Sequence, residues 1–384
     1  MKDKSISCLP QKYCCGCSSC FSICPVGAIQ MTYINGFLYP VINKQICTNC
    51  GLCSEACQIS IKHKNTKQNI LEIACQNRSV EERKTSRSGG VFVELARVIL
   101  KENGVVYGCA KNNEFLASHI AINSINEINK LKGSKYIQSN LGDTFKNVAK
   151  DLIEGKTVLF SGTGCQLFGL KTYLSLRHIS MDNLITCDII CHGVPSPLVW
   201  KEYLEVVEEN NNSKIKEVIF RDKEKYGWSG HVETFILENG LQVSSKENRF
   251  YQKSFFRESC YNCSFTTPYR DTDFTIGDCW GIQNIDNPFN EQDGVSMVLI
   301  RTNKGLSLFD KIKNNLIYLT IDVNNYLQPQ LKAPTKKPRG YKSFYKHFNK
   351  NKKKAVKKQY FQKTAKEKML LAVSKIKRMI YGKK

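Results

Sequence analysis

Two cysteine-rich stretches, CCGCSSCFSICPVGAI at residues 14–29 and CTNCGLCSEACQISI at residues 47–61, decide the fold of the N-terminal part of this chain. Each stretch contains three cysteines with two residues between neighbours, and a fourth cysteine that follows after three intervening residues. The second stretch repeats the first at a constant offset of 33 residues. Because 10 of the 18 cysteines fall within the first 57 residues, the pattern predicts a small pseudo-twofold metal-binding domain, which we place at residues 1–62.

This repeat resembles that of a bacterial two-cluster 4Fe-4S ferredoxin. By that resemblance, each cluster takes three cysteines from one motif and the fourth cysteine from the other motif. The predicted ligand sets are Cys14, Cys17, Cys20 and Cys57 for one cluster, and Cys47, Cys50, Cys53 and Cys24 for the other. The second motif ends in Cys-Gln instead of Cys-Pro, which changes the loop but removes no ligand. The alternative is a pair of zinc knuckles, although zinc sites seldom use this spacing. We interpret Cys15 as a spare thiol.

The net charge of +23 is concentrated at the C-terminus of the 384-residue chain. Residues 331–384 contain 20 Lys and Arg and a single acid, Glu367, whereas the preceding part is nearly balanced. Apolar residues at helical spacing predict that this tail forms a basic amphipathic helix. Such a helix fits an anionic membrane surface or an acidic partner, and a solvated terminal helix is the alternative. We expect no nucleic acid partner, because the tail contains no recognisable DNA- or RNA-binding motif.

The first residues, MKDKSISCLPQKY, lack the apolar region of a secretion signal, and no apolar run approaches the length of a membrane span. In a reducing compartment, many cysteines indicate metal binding or catalysis before disulfides. We therefore expect a cytoplasmic protein, held at the inner face of the membrane if the tail binds lipid.

The sequence pattern of residues 70–325 predicts one larger domain. A Ser/Gly turn precedes a helix from Val91, and strand–turn–helix units follow at residues 156–176 and 184–211. After Lys214 the pattern indicates strands. We therefore predict an α+β protein with a small dicluster domain, a larger mixed α/β domain and a basic helical tail.

Six stretches of the larger domain carry a recognisable pattern when they are taken together. They are SRSGGVF (86–92), KGSKYIQS (132–139), LFSGTGCQLFGLK (159–171), CDIICHGVPSP (187–197), FRDKEKYGWSG (220–230) and CYNCSFTTPYRDTDFTIGDCWG (260–281). In this order they resemble the coenzyme F(420) hydrogenase/dehydrogenase beta-subunit family, in the branch with an N-terminal ferredoxin domain. The resemblance implies that the larger domain binds FAD near a 4Fe-4S cluster, and that the flavin of some members exchanges a hydride with coenzyme F(420).

The resemblance implies flavin contacts from the first two stretches. Ser88, Gly89 and Gly90 stand at a helix start, where backbone N–H groups favour a phosphate. Lys135 is a candidate for stabilising a reduced flavin ring or a phosphate, with Tyr136 beside it, and we also assign it a catalytic role. The alternatives are a simple helix cap and a solvated loop lysine.

Two further stretches supply the remaining candidates. Gly162, Thr163 and Gly164 form a turn between a strand and a helix, where the backbone comes close to a ligand. The family usually has proline at position 164, which implies a looser turn here. His192 is a candidate catalytic residue that relays a proton to the flavin, and a hydrogen-bonded structural histidine is the alternative.

Four cysteines of the larger domain lie within matching motifs and form a predicted third 4Fe-4S site. They are Cys165, Cys191, Cys260 and Cys263. The alternative is a set of core thiols and a zinc-ribbon fragment. We interpret Cys187 and Cys279 as structural, and we expect Arg270 to pair with Asp273.

Together these features predict an iron–sulfur flavoprotein oxidoreductase. Electrons pass between a one-electron carrier, such as a ferredoxin or another redox partner protein, the 4Fe-4S clusters and FAD, with hydride exchange to F(420) or another organic substrate. The alternative function is an electron-transfer adaptor without a substrate, which feeds a partner enzyme, for example in surface polysaccharide synthesis. A zinc-stabilised binding protein is a third interpretation.

Overall fold

The computed structural model describes residues 3–61, 69–245, 250–251 and 254–362. Its N-terminal part is a β-hairpin flanked by two short helices. These elements are α1 (Ser19–Ile23), β1 (Ile29–Ile34), β2 (Phe37–Ile42) and α2 (Leu52–Glu55). The strands pair antiparallel through Asn35 and Gly36, which both adopt left-handed backbone angles, as a two-residue hairpin turn requires. Each cysteine motif contains one of the two helices, which is the symmetry that the repeat predicts.

The larger part of the molecule is built on an eight-stranded mixed sheet. Its strands are β3 (Leu71–Asn77), β4 (Val105–Lys111), β5 (Ala117–Ile122), β6 (Val158–Thr163), β7 (Leu184–Ile189), β11 (Phe274–Asp278), β12 (Ser296–Ile300) and β13 (Leu316–Thr320). The strand order is β13-β3-β12-β11-β7-β6-β4-β5. The four strands β11, β7, β6 and β4 run parallel, and the remaining neighbours pair antiparallel.

Helices connect the strands of this larger part. They are α3 (Val80–Thr85), α4 (Val91–Lys101), α5 (Ile128–Leu131), α6 (Thr144–Ile153), α7 (Gly164–Leu176), α8 (Pro197–Asn211), α9 (Lys223–Tyr226) and α10 (Asn303–Ile312). The two predicted strand–turn–helix units are confirmed as β6–α7 and β7–α8. Helix α7 begins with a capping box between Thr163 and Gln166, and α8 begins with a Ser196 cap followed by proline.

A smaller antiparallel sheet lies beside α8. It contains β8 (Ile215–Ile219), β9 (Thr234–Leu237) and β10 (Gln242–Ser244) in the order β10-β9-β8. Helices α11 (Tyr341–Lys350) and α12 (Lys352–Val356) and a π-helical turn (Lys357–Phe361) join this sheet in an aromatic core. Trp200, Phe250 and Tyr360 are fully buried there.

The described part of the tail therefore packs back on the body. The apolar pattern of the predicted amphipathic helix begins at Met369 and lies outside the described residues. Within the described ranges, no helix has the length and apolar character needed to cross a bilayer.

The hairpin of the N-terminal part docks on the larger part. Ser196 donates a hydrogen bond from Oγ to the carbonyl oxygen of Gly36 across 2.7 Å. The Leu38 N–H donates to Oε1 of Gln138 across 3.2 Å. Because these contacts are buried and polar, they fix the position of the cysteine motifs relative to the large sheet.

Candidate functional site

The cysteines of the N-terminal part surround two separate cavities. One is lined by Cys14, Cys15, Cys17, Cys20 and Cys57. The other is lined by Cys24, Cys47, Cys50 and Cys53. Apart from Cys15, each set combines three cysteines of one motif with the fourth cysteine of the other. Four thiols around one space are the donor set that a 4Fe-4S cluster needs, so these residues fit that group.

The four predicted ligands of the third site also lie together. Burial is the main cause that raises the pKa of the Cys191 thiol to about 12, and the neighbouring Cys165 and Cys263 contribute to this shift. Burial likewise raises the pKa of Cys260, which interacts electrostatically with the other three thiols. Among the described residues, no three or more His, Cys, Asp or Glu side chains converge as closely as a single metal ion requires. The four sulfurs therefore lie near one another without converging on a single point. They lie at the carboxyl ends of β6 and β7 and beside the 3₁₀ turn Glu258–Asn262.

Cys15, which we interpreted as a spare thiol, lies between the two parts of the molecule. A hydrogen bond with Cys15 lowers the pKa of the Cys165 thiol to about 7, and the Cys17 thiol also hydrogen-bonds with Cys15. Helix α7, which carries Cys165 in its first turn, also comes close to the N-terminal part at Gly169. The Cys17 sulfur lies 2.9 Å from the position that a β-carbon would take at Gly169, so only glycine allows this contact.

The main cavity of the larger part lies at the carboxyl ends of the parallel strands β6, β7 and β11, which is where open α/β sheets bind ligands. All six stretches contribute to its wall. The contributing residues include Ser86, Lys132, Ser161, Cys191, Arg221 and Asp278. This position and a lining of mixed polar and apolar residues suit a dinucleotide.

Arg87 is a cavity residue that the sequence analysis missed. Its Nε donates to the Tyr136 hydroxyl across 3.1 Å, and its Nη2 forms an ion pair with Asp278 at 2.7 Å. Nη1 of Arg87 and Oγ of Ser86 are buried and have no hydrogen-bond partner among the described residues. Unpaired buried polar atoms on a cavity wall indicate a polar ligand there, because leaving them unpaired is unfavourable. The sequence signal for Arg87 was its position within the SRSGG motif, because an arginine beside a phosphate-binding turn is a typical anion contact.

Lys135 and Tyr136 both line the cavity. The Lys135 ammonium donates to the last carbonyls around α5, those of Lys130, Leu131 and Lys132. Burial lowers the pKa of Lys135 to about 8. Tyr136 stacks edge-on against Tyr251, with ring centroids 4.9 Å apart.

His192 also lines the cavity, at the carboxyl end of β7. Its Nε2 lies 3.3 Å from Oε1 of Gln328, and its ring meets Trp280 edge-on at 5.5 Å. Burial lowers the pKa of His192, so the ring is neutral near pH 7. A second cavity adjoins this region and shares Arg221, His231 and Trp280 with the main cavity.

The glycine-rich turns are only partly on the cavity wall. Ser88, Gly90, Gly162 and Thr163 line it. The Gly89 N–H instead donates to Oγ of Ser296 across 2.9 Å, and Gly164 packs against the Phe265 ring.

The expected ion pair between Arg270 and Asp273 is wrong. Arg270 forms a buried ion pair with Asp188, whereas Asp273 accepts hydrogen bonds from Thr186 and Thr302. The reason is topological, because the parallel pairing of β11 with β7 brings Asp188 level with Thr275 and close to the start of β11. Cys187 and Cys279 are fully buried core residues, as predicted.

Comparisons with known proteins match both parts of the chain. Residues 13–61 match the family described as 4Fe-4S dicluster domain, and residues 155–325 match the family described as the C terminus of the coenzyme F(420) hydrogenase/dehydrogenase beta subunit. A coenzyme F(420)-dependent sulfite reductase from Methanocaldococcus jannaschii is 25% identical over 320 residues, which cover 78% of this chain. The chain spans only 45% of the length of that relative.

A solved structure is also similar to this chain. It is a xenon-derivatised F(420)-reducing NiFe hydrogenase complex from Methanosarcina barkeri, with 17% identity and a TM-score of 0.47 over 78% of this chain and 93% of that one. The matched families account for the paired cysteine motifs and for β6, β7 and β11, the three strands at whose carboxyl ends the main cavity lies. The chain therefore carries, at residues 155–325, the C-terminal domain of the coenzyme F(420) hydrogenase/dehydrogenase beta-subunit family, and at residues 13–61 a 4Fe-4S dicluster domain.

Proposed function

We propose that this chain is an iron–sulfur flavoprotein oxidoreductase that passes electrons between a one-electron carrier protein and an organic substrate. The observation that carries the proposal is that Cys15 lines both the cavity of Cys14, Cys17, Cys20 and Cys57 and the main cavity. This shared wall supports a short path between the first predicted cluster and the third cysteine set. Since Cys165 and Cys191 also line the main cavity, the three sites form a continuous series.

In this proposal, the eight N-terminal cysteines hold two 4Fe-4S clusters and the four cysteines of the larger domain hold a third. The cavity at Cys24, Cys47, Cys50 and Cys53 is the outer one, because Cys50 is exposed to solvent. We therefore assign the external carrier, such as a ferredoxin or another redox partner, to this end of the series.

The main cavity is the proposed FAD site. The residues that would hold the cofactor are Ser88, Gly90, Lys135, Tyr136, Gly162 and Thr163, with Gly89 and Gly164 shaping the two turns behind them. Arg87 adds a free guanidinium N–H for an anionic group of the cofactor. FAD, when bound, supplies the conversion between one-electron and two-electron transfer.

His192 is the proposed proton-relaying residue of this site. It is neutral near pH 7 and lies against Trp280, which also lines the adjoining second cavity. The names of the matched relative and of the matched structure both include F(420), so we propose F(420) or another hydride-exchanging organic compound as the substrate.

Anaerobic purification with quantification of iron, sulfide and flavin tests the proposal. We expect about twelve iron atoms and one FAD per chain, given four irons per cluster. A Cys260→Ser variant should contain about four iron atoms fewer, whereas Cys279→Ser, which alters a buried thiol outside the set, should keep its iron. Unchanged iron in Cys260→Ser would refute the third site. Clusters without flavin would instead favour an adaptor that feeds a partner enzyme, and zinc without iron would refute both functions.

A further inference from the structure

Arg257 is a fully buried arginine that joins the two domains. It precedes Cys260 by three residues in the larger domain, yet its side chain reaches into the dicluster domain. Its Nε donates to the carbonyl oxygen of Cys14 across 2.6 Å, and its Nη1 donates to that of Leu38 across 2.8 Å. Its Nη2 lies 3.5 Å from the Cys14 sulfur, within the range of an N–H···S hydrogen bond.

The backbone of Arg257 is held equally firmly. Its N–H donates to the carbonyl oxygen of Val194 across 2.9 Å, and its carbonyl oxygen accepts from the Cys260 N–H across 2.9 Å. Arg257 therefore lies between Cys14 on one side and the loops that carry Cys191 and Cys260 on the other. A side chain fixed at both ends can act on a neighbouring group with little loss of conformational entropy.

The charge of Arg257 has no carboxylate partner within ion-pair distance among the described residues. The guanidinium instead lies over the Tyr39 ring at 3.9 Å and near the Phe37 ring at 5.7 Å, and Nη1 also donates to Gln138 at 3.2 Å. Aromatic faces and amide oxygens compensate a buried cation only in part, because desolvating a charge is costly without an opposite charge. Four cysteine thiolates around an iron–sulfur core would provide that opposite charge.

We infer that Arg257 is a positioning residue that raises the reduction potential of the cluster bound by Cys14, Cys17, Cys20 and Cys57. One-electron reduction by the carrier protein adds one negative charge beside the guanidinium, without making or breaking a bond. The positive charge and the N–H···S hydrogen bond both favour the reduced state, since net charge and hydrogen bonds to sulfur set cluster potentials. Electrons that enter at the outer cysteine set are thereby drawn toward the larger domain.

This inference rests on the clusters of the proposed function, and not on the identity of its substrate. The test is a redox titration of the full-length protein, purified anaerobically and followed by electron paramagnetic resonance of the two N-terminal clusters. For Arg257→Gln we expect the reduced-to-oxidised ratio of the Cys14 cluster at a fixed potential to fall at least tenfold, which equals about 59 mV for one electron. The potential of the other cluster should not change.

Two further variants sharpen the test. Lys12→Gln removes a positive charge two residues from Cys14, but this lysine is exposed and screened by water, so the potential should stay the same. Gln138→Glu keeps Arg257 in place and sets a carboxylate against its guanidinium, so it should lower the potential of the same cluster.

An unchanged Cys14 cluster potential in Arg257→Gln with full iron content would overturn the inference. If Arg257→Gln loses this cluster, the titration of Gln138→Glu decides whether Arg257 affects the cluster potential. Loss of the cluster from both variants would show that Arg257 has a structural role only, which would also overturn the inference. A protein with normal cluster potentials but without bound flavin would instead contradict the proposed function and leave the role of Arg257 intact.

Discussion

Arg87 and Asp278 form an ion pair at 2.7 Å on the wall of the main cavity. The same carboxylate oxygen accepts from Arg221 at 3.2 Å and from the Trp280 indole at 3.3 Å. Asp278 thus holds three side chains at the place where the two cavities adjoin. By fixing Nη2 of Arg87, it leaves Nη1 available for a ligand in the cavity.

Replacing Arg87 with glutamine should weaken flavin binding. A hydrogen bond to a charged group contributes about 1.5–3 kcal/mol, so the dissociation constant of FAD should rise roughly 10- to 100-fold. Fluorescence titration of flavin-depleted protein measures this constant. Lys84→Gln, which removes an exposed charge from the neighbouring helix α3, should leave it unchanged. Equal affinities for both variants would rule out Arg87 as a flavin contact.

Flavin affinity should also depend on pH through Lys135. Burial is the main cause that lowers the pKa of this lysine to about 8, with a smaller contribution from Lys111, whereas Cys109 opposes the shift. The side chain is therefore charged at pH 7 and mostly neutral at pH 9. If it faces an anionic group of FAD, the affinity should fall roughly tenfold as the pH rises through this range.

A Lys135→Met variant should bind FAD more weakly at pH 7 and should lose this pH dependence. Lys130→Met, which alters an exposed lysine of the nearby helix α5, should retain the wild-type profile. Binding curves at four or five pH values make the comparison. A Lys135→Met profile as steep as that of the wild type would show that another group is responsible.

The crossed ligand pattern makes a spectroscopic prediction. Because Cys24 lines the cavity of Cys47, Cys50 and Cys53, its replacement by serine should perturb that cluster and spare the other one. The electron paramagnetic resonance spectrum of the reduced Cys24→Ser variant should therefore resemble that of Cys50→Ser and differ from that of Cys20→Ser. Cys8→Ser, which alters an exposed thiol outside both cavities, is the matched control. A Cys24→Ser spectrum like that of Cys20→Ser would contradict the crossover.

The buried pair of Asp188 and Arg270 should be important for stability. Asp188 is completely buried and also accepts hydrogen bonds from Thr272 and Thr275. Asp188→Ala leaves the guanidinium without its partner, so the free energy of unfolding should fall by about 3–5 kcal/mol. Denaturant unfolding of protein with unchanged iron content measures the loss.

The matched control is Glu102→Ala, which breaks the exposed pair with Lys311. This change should cost less than about 1 kcal/mol, because water screens the pair. Equal losses of unfolding free energy in the two variants would mean that burial of the Asp188–Arg270 pair does not increase its contribution to stability.

Local spacing made much of this protein predictable. A 4Fe-4S site takes three ligands from one short loop, so the spacing from Cys14 to Cys20 predicts ligands without any knowledge of the fold. The units around Gly162 and Pro197 were likewise predictable, because helix caps and strand periodicity act over a few residues. The expected partner of Arg270 was wrong, since a short distance along the chain does not decide which strands become neighbours.

The sequence by itself determined the cysteine repeat, the strand–turn–helix units and the basic composition of the tail, because these depend on interactions between residues close in the chain. Only the tertiary structure showed that Cys15 and Cys165 line the same cavity, that Arg87 pairs with Asp278 on its wall, and that Arg257 crosses to Cys14. Those contacts join residues 150 to 243 positions apart or depend on a wall built from several strands. Chain folding brings such groups together through the burial of apolar surface, which is collective and leaves no local pattern to read.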